Sequence, residues 1–208
     1  MARTTAPLFS MDASGTVAGA IVFSRWRGRN YVRRHAIPVN PRTPLQTGVR
    51  SAFRFLTQEW KNVPTNLQAA WVALGDITRV TGLNALVADN VRRLREGRPW
   101  TMLTAPVSPA APTAVGVFSA TALARAIQLD WTRPSSNSEE WGIEVHMALG
   151  TGFTPSIATL IYAVPIATVQ LIVTGLTPGT PYYFVLRPFG TTFAYAAETA
   201  EFTATPTT

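Results

Sequence analysis

Apolar positions recur with a helical period between about residues 43 and 97, and with a period of two beyond residue 117. Thr43-Pro-Leu-Gln46 forms a capping box with proline at the first helical position. Leu45, Val49, Ala52, Phe53, Leu56 and Trp60 then predict one apolar face of a helix ending near Asn62. Thr65-Asn-Leu-Gln68 is a second capping box, followed by a shorter face at Leu67, Ala70, Trp71 and Leu74. A third helix is predicted from Gly82 to Glu96, with Leu83, Leu86, Val87, Asn90 and Leu94 inward and Gly97 as its stop. Upstream, Val17 to Phe23 and Trp26, then Tyr31 to Arg34, read as a β-hairpin, with Gly28 and Asn30 supplying positive φ at the turn. Leu8 to Gly15 reads as an extended arm.

The second half reads as strands. Val117 to Ala122, Ala126 to Trp131, Trp141 to His146, Thr168 to Val173 and Ala200 to Thr205 alternate or run apolar between turn signals at residues 133–137, 150–152 and 177–179. In the third of these, alternation sets Trp141, Ile143 and Val145 on one face and Glu144 and His146 on the other, toward solvent. Pro165 demotes its segment to an edge strand or loop. Ile157 to Leu176 is long and uncharged, but Pro165, its polar residues and its partial alternation favour sandwich strands over a membrane helix.

Leu176-Thr-Pro-Gly-Thr-Pro-Tyr182 carries a tyrosine six residues after a leucine, ahead of an apolar strand. It resembles the tyrosine corner of a fibronectin type III domain, and the likeness extends over about residues 112–206. The resemblance implies a sandwich with Trp131 in its core and Leu176 and Tyr182 at the corner. It implies a spacer or binding module, and names a fold without naming a function. A fragment of residues 112–206 is expected to fold alone.

Charge divides the chain at the same place. Residues 1–100 hold fifteen basic side chains against five acidic, and residues 101–208 hold three against six, for a net charge of +7. With Pro106, Pro109 and Pro112 as a spacer, the expected organisation is a basic α+β domain at 1–98 (hairpin plus three short helices), a Pro/Ala/Thr linker at 99–111 and an all-β sandwich at 112–208. Lys61 is the only lysine. An arginine-dominated surface favours protein or nucleic-acid contacts, while a GC-rich genome would give the same bias. The chain has no cysteine, which excludes disulfides and thiolate metal sites.

Signatures of catalysis are sparse. His35 and His146 fall in different expected domains and read as surface histidines without a positioned nucleophile. Glu139-Glu140 reads as a solvated turn, and no phosphate loop or metal-ligand spacing occurs, so no enzyme, cofactor or metal is expected. The concentrated feature is Arg25, Trp26, Arg27, Arg29, Tyr31, Arg33 and Arg34. Alternation alone sets Arg25, Arg27 and Arg29 on one face and Arg33 with Tyr31. Such a ribbon can dock on an acidic protein surface or bind nucleic acid through phosphates and stacking, or simply be a solvated turn. Docking on protein ranks first, the solvated turn second and nucleic acid third. Arg92, Arg93, Arg95 and Arg98 complement a helix C-terminus.

Gly28, Tyr31, Arg33, Pro41, Thr43, Gln46, Arg50, Trp60, Trp71, Gly82, Asn84 and Asn90 follow a pattern that resembles uncharacterised virion-associated proteins of tailed bacteriophages, over residues 15–97. The resemblance implies a structural role in a virion, with other virion proteins as partners, many copies per assembly and no membrane. The basic half would dock on the particle. The sandwich would project outward, free to meet a ligand on a host surface. The alternative is a soluble or surface module that binds protein or glycan, or a nucleic-acid-binding protein.

Overall fold

The computed structural model describes residues 3–4, 13–17, 19–26, 29–37, 40, 42–104, 112–133 and 140–208. The chain divides into two compact units, Met1–Pro41 and Arg42–Thr208.

In the first unit β1 (Arg3–Thr4), β2 (Ala13–Val17), β3 (Ile21–Trp26) and β4 (Arg29–Arg34) form one antiparallel sheet in chain order. The hairpin is therefore half of a larger ladder, and part of the expected arm, Ala13 to Gly15, is strand β2. Pairing between β3 and β4 continues to Trp26 and Arg29, closer to the turn than the sequence implied. Asn30 pairs with Arg25 inside the ladder and does not take a positive φ.

The second unit opens with three helices. In α1 (Pro44–Glu59) the Thr43 side chain accepts from Gln46 N at 3.4 Å, as the capping box implied. Its buried face is Gly48, Ala52, Phe55 and Leu56, while Leu45 and Phe53 are more than half exposed. The face is rotated from the expected one because α1 packs on a sheet edge, and small residues allow that approach. Gly48 lies against the Ile157 carbonyl, and the Ser51 hydroxyl accepts from Ala163 N at 2.7 Å. A 3-10 turn, Trp60–Asn62, follows. In α2 (Thr65–Thr78) Pro64 is the N-cap and no side chain caps it, so the second capping box does not form. Gln68 instead donates to the carbonyls of Trp60 and Val63, closing the turn between the helices. In α3 (Gly82–Arg95) Thr81 caps by accepting from Asn84 N, and Leu86, Val87, Asn90 and Leu94 are buried as expected. Gly97 takes φ +70° beyond its end. No helix among the described residues is long and apolar enough to cross a membrane.

The strands β5 (Phe118–Leu123), β6 (Ala126–Trp131) and β9 (Gln170–Thr174) form one sheet of a sandwich in the order β5-β6-β9. β7 (Glu140–Ala148), β8 (Leu160–Pro165), β10 (Tyr182–Gly190) and β11 (Phe202–Ala204) form the other, in the order β11-β10-β7-β8. The fold is thus α+β, with a fibronectin type III-like sandwich. Pro165 ends an edge strand, where its missing N–H costs no ladder bond. Between the sheets lie Ile127, Leu129, Trp131, Ile143, Val145 and Leu186, among others. At the corner the Tyr182 hydroxyl accepts from Thr177 N at 3.1 Å, with Leu176 buried beside it.

The expected boundary at 99–111 does not separate two bodies. Phe55, Leu56, Trp71 and Leu86 of the helices share one core with Trp141, Leu160 and Phe189 of the four-stranded sheet. The residues that join them are the first of the supposed linker. Trp100 is 1% exposed, Asn90 clamps Thr101 N and O at 2.8 and 2.9 Å, and the Trp71 indole donates to the Met102 carbonyl at 2.7 Å. Met102 N in turn donates to Thr191 O. The rest of that segment, 105–111, lies outside the described residues. A hydrophobic indole at position 100 anchors the start of the supposed spacer in the core.

β7 is consequently buried on both faces. A register irregularity pairs Gly190 with Glu140 and Phe189 with Gly142, and the extra residue, Trp141, packs with the helices instead of with Ile143 and Val145. Bare backbone at Gly142 admits the crowded rings. An added Cβ would stand 2.6 Å from Phe189 Cζ, 2.7 Å from Val164 O and 2.9 Å from Phe55 Cζ.

Three stability outcomes are expected. Tyr182→Phe should lower stability by about 1–3 kcal/mol by leaving Thr177 N–H unpaired, and an unchanged urea midpoint would remove the corner's role. Gly142→Ala should cost about 1–3 kcal/mol or more by overpacking. A fragment of residues 112–208, stripped of Phe55 and Trp100, should bind hydrophobic dyes and aggregate; a cooperatively unfolding monomer would show that the helices are dispensable.

Candidate functional site

Two features carry charge into places where it must have a purpose. One is buried and one is exposed.

The buried feature centres on Glu144, in the middle of β7. Strand alternation points it away from the sandwich core, and Trp100 and Tyr195 close over that side, so its carboxylate is fully buried. Every neighbour is a donor. The Trp100 indole donates to Oε1 at 2.5 Å, His146 Nε2 to Oε2 at 3.1 Å, and Arg187 Nε and Nη2 to Oε2 at 2.8 and 2.7 Å. The Tyr195 hydroxyl lies 3.3 Å from Oε1, and its ring stacks under the Arg187 guanidinium at 3.8 Å. His146 Nδ1 is 3.0 Å from the Thr159 hydroxyl, which anchors the β7–β8 connection at Ser156.

Burial by itself would push the Glu144 carboxyl up. The His146 hydrogen bond, the Arg187 charge and the indole outweigh it and hold the carboxyl below its ordinary value. Burial and the adjacent carboxylate push the Tyr195 phenol well above its ordinary range. Arg187 is pulled down by burial and raised by Glu144, with a net upward displacement that keeps it charged. Glu144 and His146 were expected on an outer, solvated face. Both are 0% exposed, because the helical layer converts a two-sided sheet into a three-layer stack. A carboxylate and an imidazole closed from solvent hold elements of the fold together.

The exposed feature is the arginine ribbon. Arg25, on β3, is exposed and pairs in register with Asn30. Tyr31, Arg33 and Arg34, on β4, are exposed as well. Register places Trp26 opposite Arg29, so position 29 belongs to the row of Tyr31 and Arg33 and not to that of Arg25. Strict alternation through the turn would group position 29 with Arg25; the reversal of the hairpin groups it with Tyr31 and Arg33. Arg27 lies outside the described residues, as does Glu139. His35 is half-buried and continues the ladder by donating to Ala20 O at 2.7 Å. Glu140 is half-buried at the start of β7 and not in a solvated turn. Of the arginines near the end of α3, Arg93 pairs with Asp89 at 2.6 Å and covers the Phe193 ring.

The sandwich also has a shallow groove lined by Val115, Phe118, Glu198 and Phe202, with the two phenylalanines edge to face. Arg187 stands 3.6 Å from the Glu198 carboxylate. Among the described residues no cluster of three or more His, Asp or Glu side chains is arranged to hold a metal.

No protein-family model matches this chain, and no curated protein matches it in sequence. Solved structures match about half of it. One is the Clostridium perfringens spore cortex lytic enzyme SleM, at 17% identity and TM-score 0.36, covering 45% of this chain and 28% of that one. Another is the FN1-FN3 region of chicken CNTN1, at 17% identity and TM-score 0.38, covering 48% and 32%. A third is an Fn3-like protein from Clostridium thermocellum, at 20% identity and TM-score 0.35, covering 45% and 92%. The chain thus spans under a third of the length of the first two.

The buried cluster sets an acid limit. Because the folded carboxyl of Glu144 lies below its ordinary 4.5, its contribution to stability is complete above that pH and is lost as pH falls through the lower folded value. Glu144→Gln should cost about 3–5 kcal/mol by leaving the buried Arg187 with only the more distant, exposed Glu198 as an acidic partner. It should also flatten the fall of Tm below about pH 4.5, measured by calorimetry. An identical acid slope in both proteins would remove Glu144 from that role.

Proposed function

We propose that this protein is a non-enzymatic attachment protein. Its basic N-terminal sheet docks on an acidic protein surface, and the helix-backed sandwich is carried as a binding or adhesion module. The observation that carries the reading is β4, whose residues Asn30 to Arg34 are all exposed, with arginine and aromatic side chains interleaved. Electrostatic steering favours encounter with an acidic partner, and arginine suits partly desolvated contacts with carboxylates.

The finer assignment is a structural component of a tailed-phage virion, in the capsid decoration, neck or tail. It is supported by the likeness of residues 15–97 to virion-associated proteins and by the separation of a strongly basic part from a mildly acidic one. Partners are then other virion proteins, in many copies, with a host-surface ligand for the sandwich.

Replacing Arg33 and Arg34 together by Glu should abolish incorporation into particles, as read by mass spectrometry of purified virions. The thermal transition of the second unit should stay within about 1 °C, since surface substitutions rarely cost more than a few tenths of a kcal/mol. Normal incorporation would reject docking through this strand.

A further inference from the structure

The edge of β4 has the geometry of a strand-addition site. β4 lies last in the order β1-β2-β3-β4 and, among the described residues, pairs only with β3. Its outward-facing backbone groups can be identified. His35 N donates to Ala20 O, so that pair is hydrogen-bonded, and in an antiparallel ladder such pairs recur at every second residue. Arg33 and Tyr31 therefore face β3. The N–H and C=O groups of Val32 and Arg34 face the open edge.

This edge differs from those that proteins close off. Edges are commonly blunted by proline, bulges, short length or a covering element. At the far end of the molecule's other four-stranded sheet, β8 ends in Pro165 and has Ser51 of α1 on its Ala163 N–H. β4 has six residues in unbroken register, no proline, and side chains that favour strands, with Tyr31 41% and Val32 55% exposed. Within this sheet, and among the described residues, its protection is charge. Arg33 and Arg34 project to opposite faces, and a second copy of β4 would bring like charges onto the same ribbon. An acidic strand meets no such penalty.

We propose that β4 accepts an extended, acidic segment of another protein as a fifth, antiparallel strand. The segment carries two adjacent acidic residues, one for each face, opposite Arg34 and Arg33. Two β-favouring apolar residues follow, opposite Val32 and Tyr31. Backbone bonds to Val32 and Arg34 supply affinity, and the two arginines select the sequence. This rests on the docking function proposed above and specifies its mode.

The test uses the full-length chain and a fluorescent, end-blocked peptide, Thr-Glu-Glu-Val-Val-Thr-Glu-Thr, followed by anisotropy. In the expected result the peptide binds, and its Lys-for-Glu counterpart does not. N-methylation of alternate amides weakens binding about tenfold for the set facing β4, and by less than about threefold for the other set. Val32→Pro removes one outward N–H and weakens binding about tenfold. The methylated peptides keep the result decisive even where the proline variant misfolds.

Equal sensitivity to both methylated sets, with binding lost in the Arg33→Glu/Arg34→Glu variant, would overturn strand addition and leave docking by charge. Binding indifferent to that double reversal would overturn both. No binding up to millimolar peptide, competition by a dimer of the chain itself, or tighter binding of single-stranded DNA at the same residues would each overturn the proposal as well.

Discussion

A single ionised carboxylate, enclosed between a helical layer and a β-sheet, is the constraint on which the second unit depends. Glu144 is tolerable there only because four side chains from separate parts of the chain converge on it. Taking a carboxylate out of water costs several kcal/mol, and removing any strong partner exposes that cost. The cluster therefore dictates geometry more than it adds stability. Trp100 must enter from the end of the helices, Arg187 from β10 and Tyr195 from the segment beyond it. The aromatic stack around it, with Trp100 against Phe189 at 4.8 Å and Phe55 edge-on to both, fills the space that remains. Polar specification and apolar filling meet at one indole, which donates a hydrogen bond with its nitrogen and buries its rings.

The same arrangement explains why the sheets differ. The three-stranded sheet keeps one face to solvent, and β5 accordingly alternates in burial. The four-stranded sheet has a core on each side, and its central strands lose alternation. Small residues appear where layers approach most closely, at Gly48, Ser51, Ala52 and Gly142.

Much of this was legible in the sequence and some was not, for definite reasons. Helix starts at Thr43 and Gly82, the edge position of Pro165 and the strands of the sandwich follow from local chemistry: caps, missing donors and alternation. The sharing of one core between helices and sandwich does not. It depends on which face of α1 is used and on Trp100, a residue that a proline-rich neighbourhood disguises. Period-two alternation separates Glu144 and His146 from Ile143 and Val145, but polarity alone does not reveal that their face is covered. The available signal was a pair of titratable residues in a strand opposite Arg187, with an unassigned tryptophan upstream. On the first sheet, the arginines were visible, while their division between faces required the register through Trp26 and Arg29.

The bond from Ala163 to Ser51 spans 112 positions of sequence. On a ribosome adding about 5–20 residues per second, the inward face of α1 would wait roughly 6–22 s for the strand that covers it. During that interval Phe55 and Leu56 are exposed on a nascent helix with no sheet to receive them. The three-layer stack is thus a late event in synthesis. The helices of this unit are completed by strands made well after them.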